Sequence, residues 1–311
     1  MTPFSLGRRA RPAGMCGVLG VVSLAAIGCG RVDARRTEAG SSARGRTSSA
    51  VPAGPLRVAL RVPAESEIPA GAMGISIRRG RALLRATAES LPSRVRARLA
   101  CVSCHPADGT QPDAMPWVGV YARFPQYRSR SGSVSRLEDR INDCFQRSMN
   151  GRPLDVASTE MRDIVAYMAF LSRGVPVGAE VVGQGLPKLQ LLAGDSARGR
   201  TLYSSTCVIC HGADGQGSAA APPLWGERSF NVGAGMARIG TSAAFIRPNM
   251  PRDRPGSLSA EQAFDLAAYI GSRLRPDFPG KERDWPNGDP PPDVAYHVRA
   301  AKRAAAPTPA R

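Results

Sequence analysis

The sequence predicts an all-α protein of two tandem domains joined by an extended linker. Three observations carry that expectation. A five-residue pattern occurs twice, as Cys101-Val102-Ser103-Cys104-His105 and as Cys207-Val208-Ile209-Cys210-His211. Each copy follows a helical segment and is followed in turn by an amphipathic helix. The stretch between the two halves is rich in Gly, Val and Pro.

The repeated pattern is C-x-x-C-H. In it two thiols bond covalently to haem vinyl groups, and the adjacent His ligates the iron. A single copy could arise by chance or form half of a zinc site. Two copies in segments of similar layout make each half a cytochrome c-type domain with one covalently bound haem. A helix before the haem and a closing helix after it is the arrangement of that fold. The expected haem-binding residues are Cys101, Cys104 and His105 in the first domain, and Cys207, Cys210 and His211 in the second. The chain has 311 residues, enough for two domains. Aromatics make up only 5% of it, which fits cores completed by porphyrin.

Residues 1–28 read as an export signal. Arg8, Arg9 and Arg11 form a basic start, and the apolar stretch from Met15 to Ile27 is too short for a membrane span. Covalent haem attachment in bacteria takes place outside the cytoplasm, so a periplasmic protein is expected. Ala26-Ile27-Gly28-Cys29 resembles a lipoprotein cleavage site and makes Cys29 a candidate lipid anchor. Ordinary cleavage nearby, with Cys29 incidental, is the alternative. Residues 29–55, rich in Ser, Arg, Ala and Gly, read as a disordered tether. The first domain is expected at 56–174, the linker at 175–194, the second domain at 195–299 and a loose tail at 300–311.

Within the domains, residues 93–100 are expected as an Arg-rich helix leading into the first haem motif, and 195–206 as its counterpart. Residues 158–173 carry Met161, Ile164, Val165, Met168 and Leu171 at helical spacing, with Gly174 as a stop. Residues 259–274 match them. Ser259 and Gln262 form a capping box there, and Phe264, Leu266, Ala267 and Ile270 supply the apolar face. Ala166-Tyr167-Met168 pairs with Ala268-Tyr269-Ile270 in this scheme.

The formal charge is +17, carried almost wholly by Arg; the lysines are Lys188, Lys281 and Lys302. Without the three leader arginines the chain remains strongly basic. It has neither a nucleic-acid-binding fold nor a basic–aromatic stripe, so no nucleic acid partner is expected. The balance instead favours small anions or an acidic redox partner, and Arg presents a planar fork of donors suited to oxyanions. Histidine is scarce: besides His105 and His211 there is only His297. At most one haem is therefore bis-His, and the other distal position takes Met, Cys or Lys, or stays open.

Residues 133–150 read as a helix ended by Gly151 and Pro153. Val134, Leu137, Ile141, Phe145 and Met149 lie near one face, and Cys144 falls inside that face. Cys144 is the one cysteine of the two domains outside the haem motifs. A lone buried Cys is ordinarily a small core residue. Against that, this domain lacks a spare His, and Cys144 stands where a cytochrome c domain commonly supplies its distal ligand. Met149, Met161 and Met115 compete for that role. Arg140 and Ser148 flank Cys144 at one turn, with Arg130 and Arg136 upstream, as for a sulfur-oxyanion site. A solvated basic face is the alternative reading of these arginines.

Several stretches are similar to a known family, the dihaem, tetrathionate-forming thiosulfate dehydrogenases. They are Leu137-Glu138-Asp139-Arg140-Ile141-Asn142-Asp143-Cys144-Phe145 with Arg147-Ser148-Met149-Asn150-Gly151, then Gly174-Val175-Pro176-Val177-Gly178 and Pro222-Pro223-Leu224-Trp225-Gly226. To these add Ser229-Phe230-Asn231 with Gly233-Ala234-Gly235-Met236, and Asn249-Met250-Pro251. The resemblance implies that Cys144 is the distal ligand of the first haem and essential to catalysis. It also implies that Arg130 and Arg140 line the thiosulfate site, and that Met250 is the distal ligand of the second haem, with Met236 as the alternative. Some relatives carry Lys immediately before that Met and exchange ligands; here the residue is Asn249, a poor iron ligand, so no exchange is expected.

The activity implied is oxidation of two thiosulfate ions to tetrathionate, or the reverse. Two electrons would pass through two haems to a soluble or membrane-linked cytochrome or a high-potential iron–sulfur protein. Two other classes share many of these features: a non-catalytic dihaem electron carrier, and a Cys-ligated haem subunit of a larger sulfur-oxidising complex.

Overall fold

The computed structural model describes residues 54–298. The export signal, Cys29, nearly all of the tether and the tail at 300–311 lie outside the described residues. The protein is built mainly from helices, as two halves on one pattern.

In the first half, strand β1 (Arg57–Val58) precedes helix α1 (Gly71–Arg85) and the short α2 (Thr87–Ser90). The haem motif leads into a short turn, α3 (Pro106–Gly109), in which Ala107 and Asp108 take left-handed backbone angles. Strands β2 (Gln126–Arg128) and β3 (Ser133–Ser135) form an antiparallel hairpin ahead of α4 (Leu137–Arg147), and α5 (Thr159–Leu171) closes this half. The linker adds β4 (Glu180–Val181), which pairs in parallel with β1. The second half consists of α6 (Ser196–Thr206), α7 (Val208–His211), α8 (Ile239–Asn249) and α9 (Ala260–Gly271). Among the described residues no helix is long and apolar enough to cross a membrane.

Both closing helices start where the sequence places them, and each is capped by a serine. Ser158 accepts from the Met161 N–H, and Ser259 forms its capping box with Gln262. Each closing helix crosses its partner at a glycine. A Cβ at Gly80 in α1 would come within 1.9 Å of the Asp163 carbonyl oxygen, and one at Gly199 in α6 within 2.0 Å of the Asp265 oxygen. These contacts are to backbone, so a methyl group would force the helices apart. Gly199→Ala is expected to cost on the order of 1–3 kcal/mol and to lower the melting temperature of the haem-loaded protein. Unchanged melting would contradict the close crossing.

The repeat continues around the motifs. Gly109 and Gly215 both have positive φ and lie against the rings of Trp117 and Trp225, leaving no room for a side chain. Tyr167 and Tyr269 stand edge-on to those same rings.

Two expected helices need correction. Residues 93–100 are irregular and extended. Val95, Ala97 and Leu99 are buried while Arg96 and Arg98 are exposed, so the segment has a period of two, not 3.6. Its backbone is held from outside: the Ala97 N–H donates to the Met149 carbonyl and the Arg98 N–H to that of Arg228. The helix on the N-terminal side is α1, upstream. Likewise α4 starts at Leu137, and residues 133–135 belong to the hairpin. Val134 is accordingly not on the α4 face but 68% exposed. The second closing helix ends at Gly271, before Leu274.

The halves interlock. Phe230, Ala234 and Ala237, from the second half, are buried in the core of the first. Asn231 fixes that excursion, its amide donating to the Gln146 carbonyl at 2.8 Å. Beyond α9 the chain returns over the first half as a strap, residues 276–297. Its far end is held by Asp293, which accepts from Arg238 and from the Gly240 N–H, both at 2.8 Å.

Candidate active site

The first haem motif is clamped from both sides. Thr87, fully buried, accepts from the Cys101 N–H at 3.1 Å. His105 Nδ1 donates to the Met115 carbonyl at 2.6 Å. That bond fixes the tautomer and leaves Nε2 with a free lone pair, as an iron ligand needs. Burial pushes His105 down to about 4, so the imidazole is neutral. The second motif repeats the device: His211 Nδ1 donates to the Pro222 carbonyl at 2.9 Å. The cysteines of both motifs are free of disulfides, and no cluster of three metal-binding side chains exists among the described residues. The donor set thus fits two covalently attached haems and does not fit zinc.

Facing the first motif are the elements that carry Cys144. Leu137, Ile141 and Phe145 bury one side of α4, which leaves Cys144 half-buried at its edge. Cys144 lies close enough to Cys101 and Cys104 for its charge to act on both; burial is the larger cause that pushes those two thiols up to about 12. Arg140, one turn earlier, donates from Nη1 to Cys144 Sγ at 2.8 Å. Charge interaction with Cys144 is the largest influence on the Arg140 guanidinium, raising its pKa against the opposing effect of burial. Arg140 and Cys144 therefore form a charge-assisted pair directed at the haem motif.

The β2–β3 hairpin brings two more guanidinium groups. Arg128 ends β2 and Arg130 sits in the turn. Burial lowers the pKa of both, and the neighbouring Arg140 adds to the effect on Arg128. Arg130 donates to the Gly233 carbonyl at 2.5 Å and stacks over the Trp285 ring at 4.6 Å. Among the described residues Arg128 has no carboxylate partner. Partly desolvated cations of like sign, which burial disfavours despite the more distant Asp143 and Asp284, are stabilised by an incoming anion.

Sequence reasoning missed Arg128; its place in the strand and the register Arg128↔Ser133 decide its neighbourhood. It named Arg136 instead, which the structure directs away: Arg136 is 62% exposed and pairs with Asp139 at 2.9 Å. Arg128→Gln is expected to raise the Michaelis constant for an anionic substrate about five- to tenfold, while Arg136→Gln leaves it unchanged. Equal constants for all three proteins would remove Arg128 from the site.

Arg147 is spent differently. It grips Asp284 through two bonds of 2.7 Å each and packs on Phe278. Met149 and Met161 are buried in the first core. At the second motif, Met250 packs against the second core while Met236 packs against the first. Asn249 is buried, its amide donating to the Phe245 carbonyl at 2.9 Å and its oxygen accepting from Gln111 at 2.5 Å. His297 is exposed. The two motifs differ in access: Ile209 is 90% exposed and Cys210 is exposed, whereas the first motif is half-buried throughout.

Known families match the two halves separately. Residues 92–177 match the SoxA/TsdA cytochrome c domain family, and residues 194–270 match the family of subunit III of cbb3-type cytochrome c oxidase. A thiosulfate dehydrogenase of Allochromatium vinosum is 49% identical over 235 residues, which cover 72% of this chain and 87% of the relative. One of Psychrobacter arcticus is 40% identical, covering 76% and 74%. The solved thiosulfate dehydrogenase TsdBA of Marichromatium purpuratum superposes with a TM-score of 0.67 at 34% identity, covering 70% of this chain. This chain spans half the length of that one.

Proposed function

The chain belongs to the thiosulfate dehydrogenase family, and from that premise we propose that it joins two thiosulfate ions into tetrathionate at Cys144. It is an oxidoreductase that takes electrons from thiosulfate and carries two covalently bound c-type haems. Cys101, Cys104 and His105 hold one haem, and Cys207, Cys210 and His211 the other. Cys144 would lie beside the first haem and Met250 beside the second. Bound there, the two haems supply one-electron acceptors.

The observation that carries this reading is the Arg140–Cys144 pair facing the first motif, with Arg128 and Arg130 beside it. A plain electron carrier has no use for it. In the scheme, the Cys144 thiolate bonds to the sulfane sulfur of thiosulfate. The two reactants bring three negative charges, the adduct Cys–S–S–SO3⁻ keeps one, and two electrons leave. A second thiosulfate then attacks the outer sulfane sulfur. The Cys144–sulfur bond breaks, tetrathionate departs, and the thiolate returns. That second step has the logic of thiol–disulfide exchange. The chain's contribution is electrostatic: Arg128 and Arg130 offset the repulsion between the anions, and Arg140 stabilises the sulfur that becomes the leaving thiolate.

Electrons would leave through the second haem, because the first lies at the substrate site. The acceptor class is a cytochrome or a high-potential iron–sulfur protein, met in the periplasm if the leader directs export as its sequence suggests. The reading is tested by supplying thiosulfate and ferricyanide to the haem-loaded protein and measuring tetrathionate directly. One tetrathionate for every two thiosulfates consumed is the expected yield; sulfate or sulfite as the main product would overturn it.

A further inference from the structure

The strap meets both elements that build the site. Trp285 is buried at 3% exposure, yet its φ of 51° lies in the left-handed region, where a bulky side chain is uncommon. Something must hold it there, and the contacts are with the arginine hairpin. The Trp285 N–H donates to the Arg130 carbonyl at 2.8 Å, and its ring lies against the Arg130 guanidinium. Asn287 donates to the Tyr127 hydroxyl at 2.9 Å. Pro286 packs on Gly132, where an added Cβ would come within 2.6 Å of the proline ring. One residue before Trp285, Asp284 is gripped by Arg147 of α4 and accepts from Tyr296.

The chemistry of the two grips differs. Arg147 is neutralised by a carboxylate and has no charge left for a ligand. Arg130 is held by an aromatic face, which attracts the cation without cancelling its charge. One donor of Arg130 goes to the Gly233 carbonyl, and a guanidinium has five. Among the described residues its remaining donors have no acceptor, which leaves them for an anion. A long, flexible side chain would otherwise lose entropy on being fixed by substrate.

We propose that Trp285 is a positioning residue for Arg130, so that the strap from the second domain completes the thiosulfate site of the first. This rests on Arg130 binding thiosulfate. The contact acts on substrate binding and leaves the sulfur chemistry at Cys144 alone.

The test is a double-mutant cycle with Arg130→Ala, Trp285→Leu and both together, with Trp285→Phe as the conservative variant. Trp285→Leu is expected to raise the apparent Michaelis constant for thiosulfate about five- to thirtyfold, the range of a lost cation–π contact, with kcat within about twofold. Trp285→Phe keeps the ring and is expected to stay within about threefold of the natural protein. In the Arg130→Ala background the Leu substitution should add less than about twofold. If Arg130→Ala leaves the constant unchanged, the assignment of Arg130 itself fails. If Arg130→Ala raises it but Trp285→Leu does not, or adds its full effect without Arg130, the positioning role fails.

Should the Leu variant not fold, hydrogen exchange on the natural protein decides. Thiosulfate should slow exchange at the Trp285 amide together with that of the hairpin. Protection of the hairpin with none at Trp285 would contradict the proposal.

Discussion

Cys144→Ala is expected to keep both haems and lose thiosulfate turnover by at least about a thousandfold. Haem attachment depends on Cys101, Cys104 and His105, which Thr87 and the Met115 carbonyl hold in place without help from Cys144. Leu137, Ile141 and Phe145 anchor α4, and alanine favours that helix. The loss is therefore chemical rather than structural. Turnover near that of the natural protein would exclude a covalent role for this sulfur.

Arg140→Ala carries the second largest effect. Among the described residues its guanidinium is the one group that donates to Cys144 Sγ, so it acts where negative charge returns to the sulfur as tetrathionate leaves. Removing a donor aimed at developing charge costs about 10²–10³ in rate, and here the drop is expected in kcat as well as in kcat/KM. Lysine should recover little, because a single ammonium cannot reach the sulfur and a sulfonate with the geometry of a planar fork. An unchanged kcat, with only the Michaelis constant raised, would make Arg140 a binding residue and leave the departing thiolate without a partner.

Much of this was legible in the chain. The two C-x-x-C-H motifs carry their own spacing chemistry, and the closing helices announce themselves through Ser158, Ser259 and their apolar stripes. Cys144 stood out because other cysteines in the domains were already assigned. The failures share one physical cause, backbone partners distant in sequence. Residues 93–100 look helical by their arginines, but hydrogen bonds to Met149 and Arg228 draw them out. Residues 133–135 look like the first turn of α4 until they pair with β2. That pairing brings Arg128 to the site, while the ion pair with Asp139 turns Arg136 to solvent. The strap is less legible still. Asp284, Trp285 and Tyr296 acquire meaning only when the fold lays them beside Arg147 and Arg130, more than a hundred residues away in sequence.

The central claim is that substrate sulfur becomes bonded to Cys144. Intact-protein and peptide mass spectrometry after brief exposure of the oxidised, haem-loaded protein to limiting thiosulfate tests it most directly. The account predicts one S–SO3 unit added to the peptide containing Cys144, removed by further thiosulfate with release of tetrathionate. An unmodified Cys144 in protein that has turned over, or the same added mass in Cys144→Ala, would contradict it.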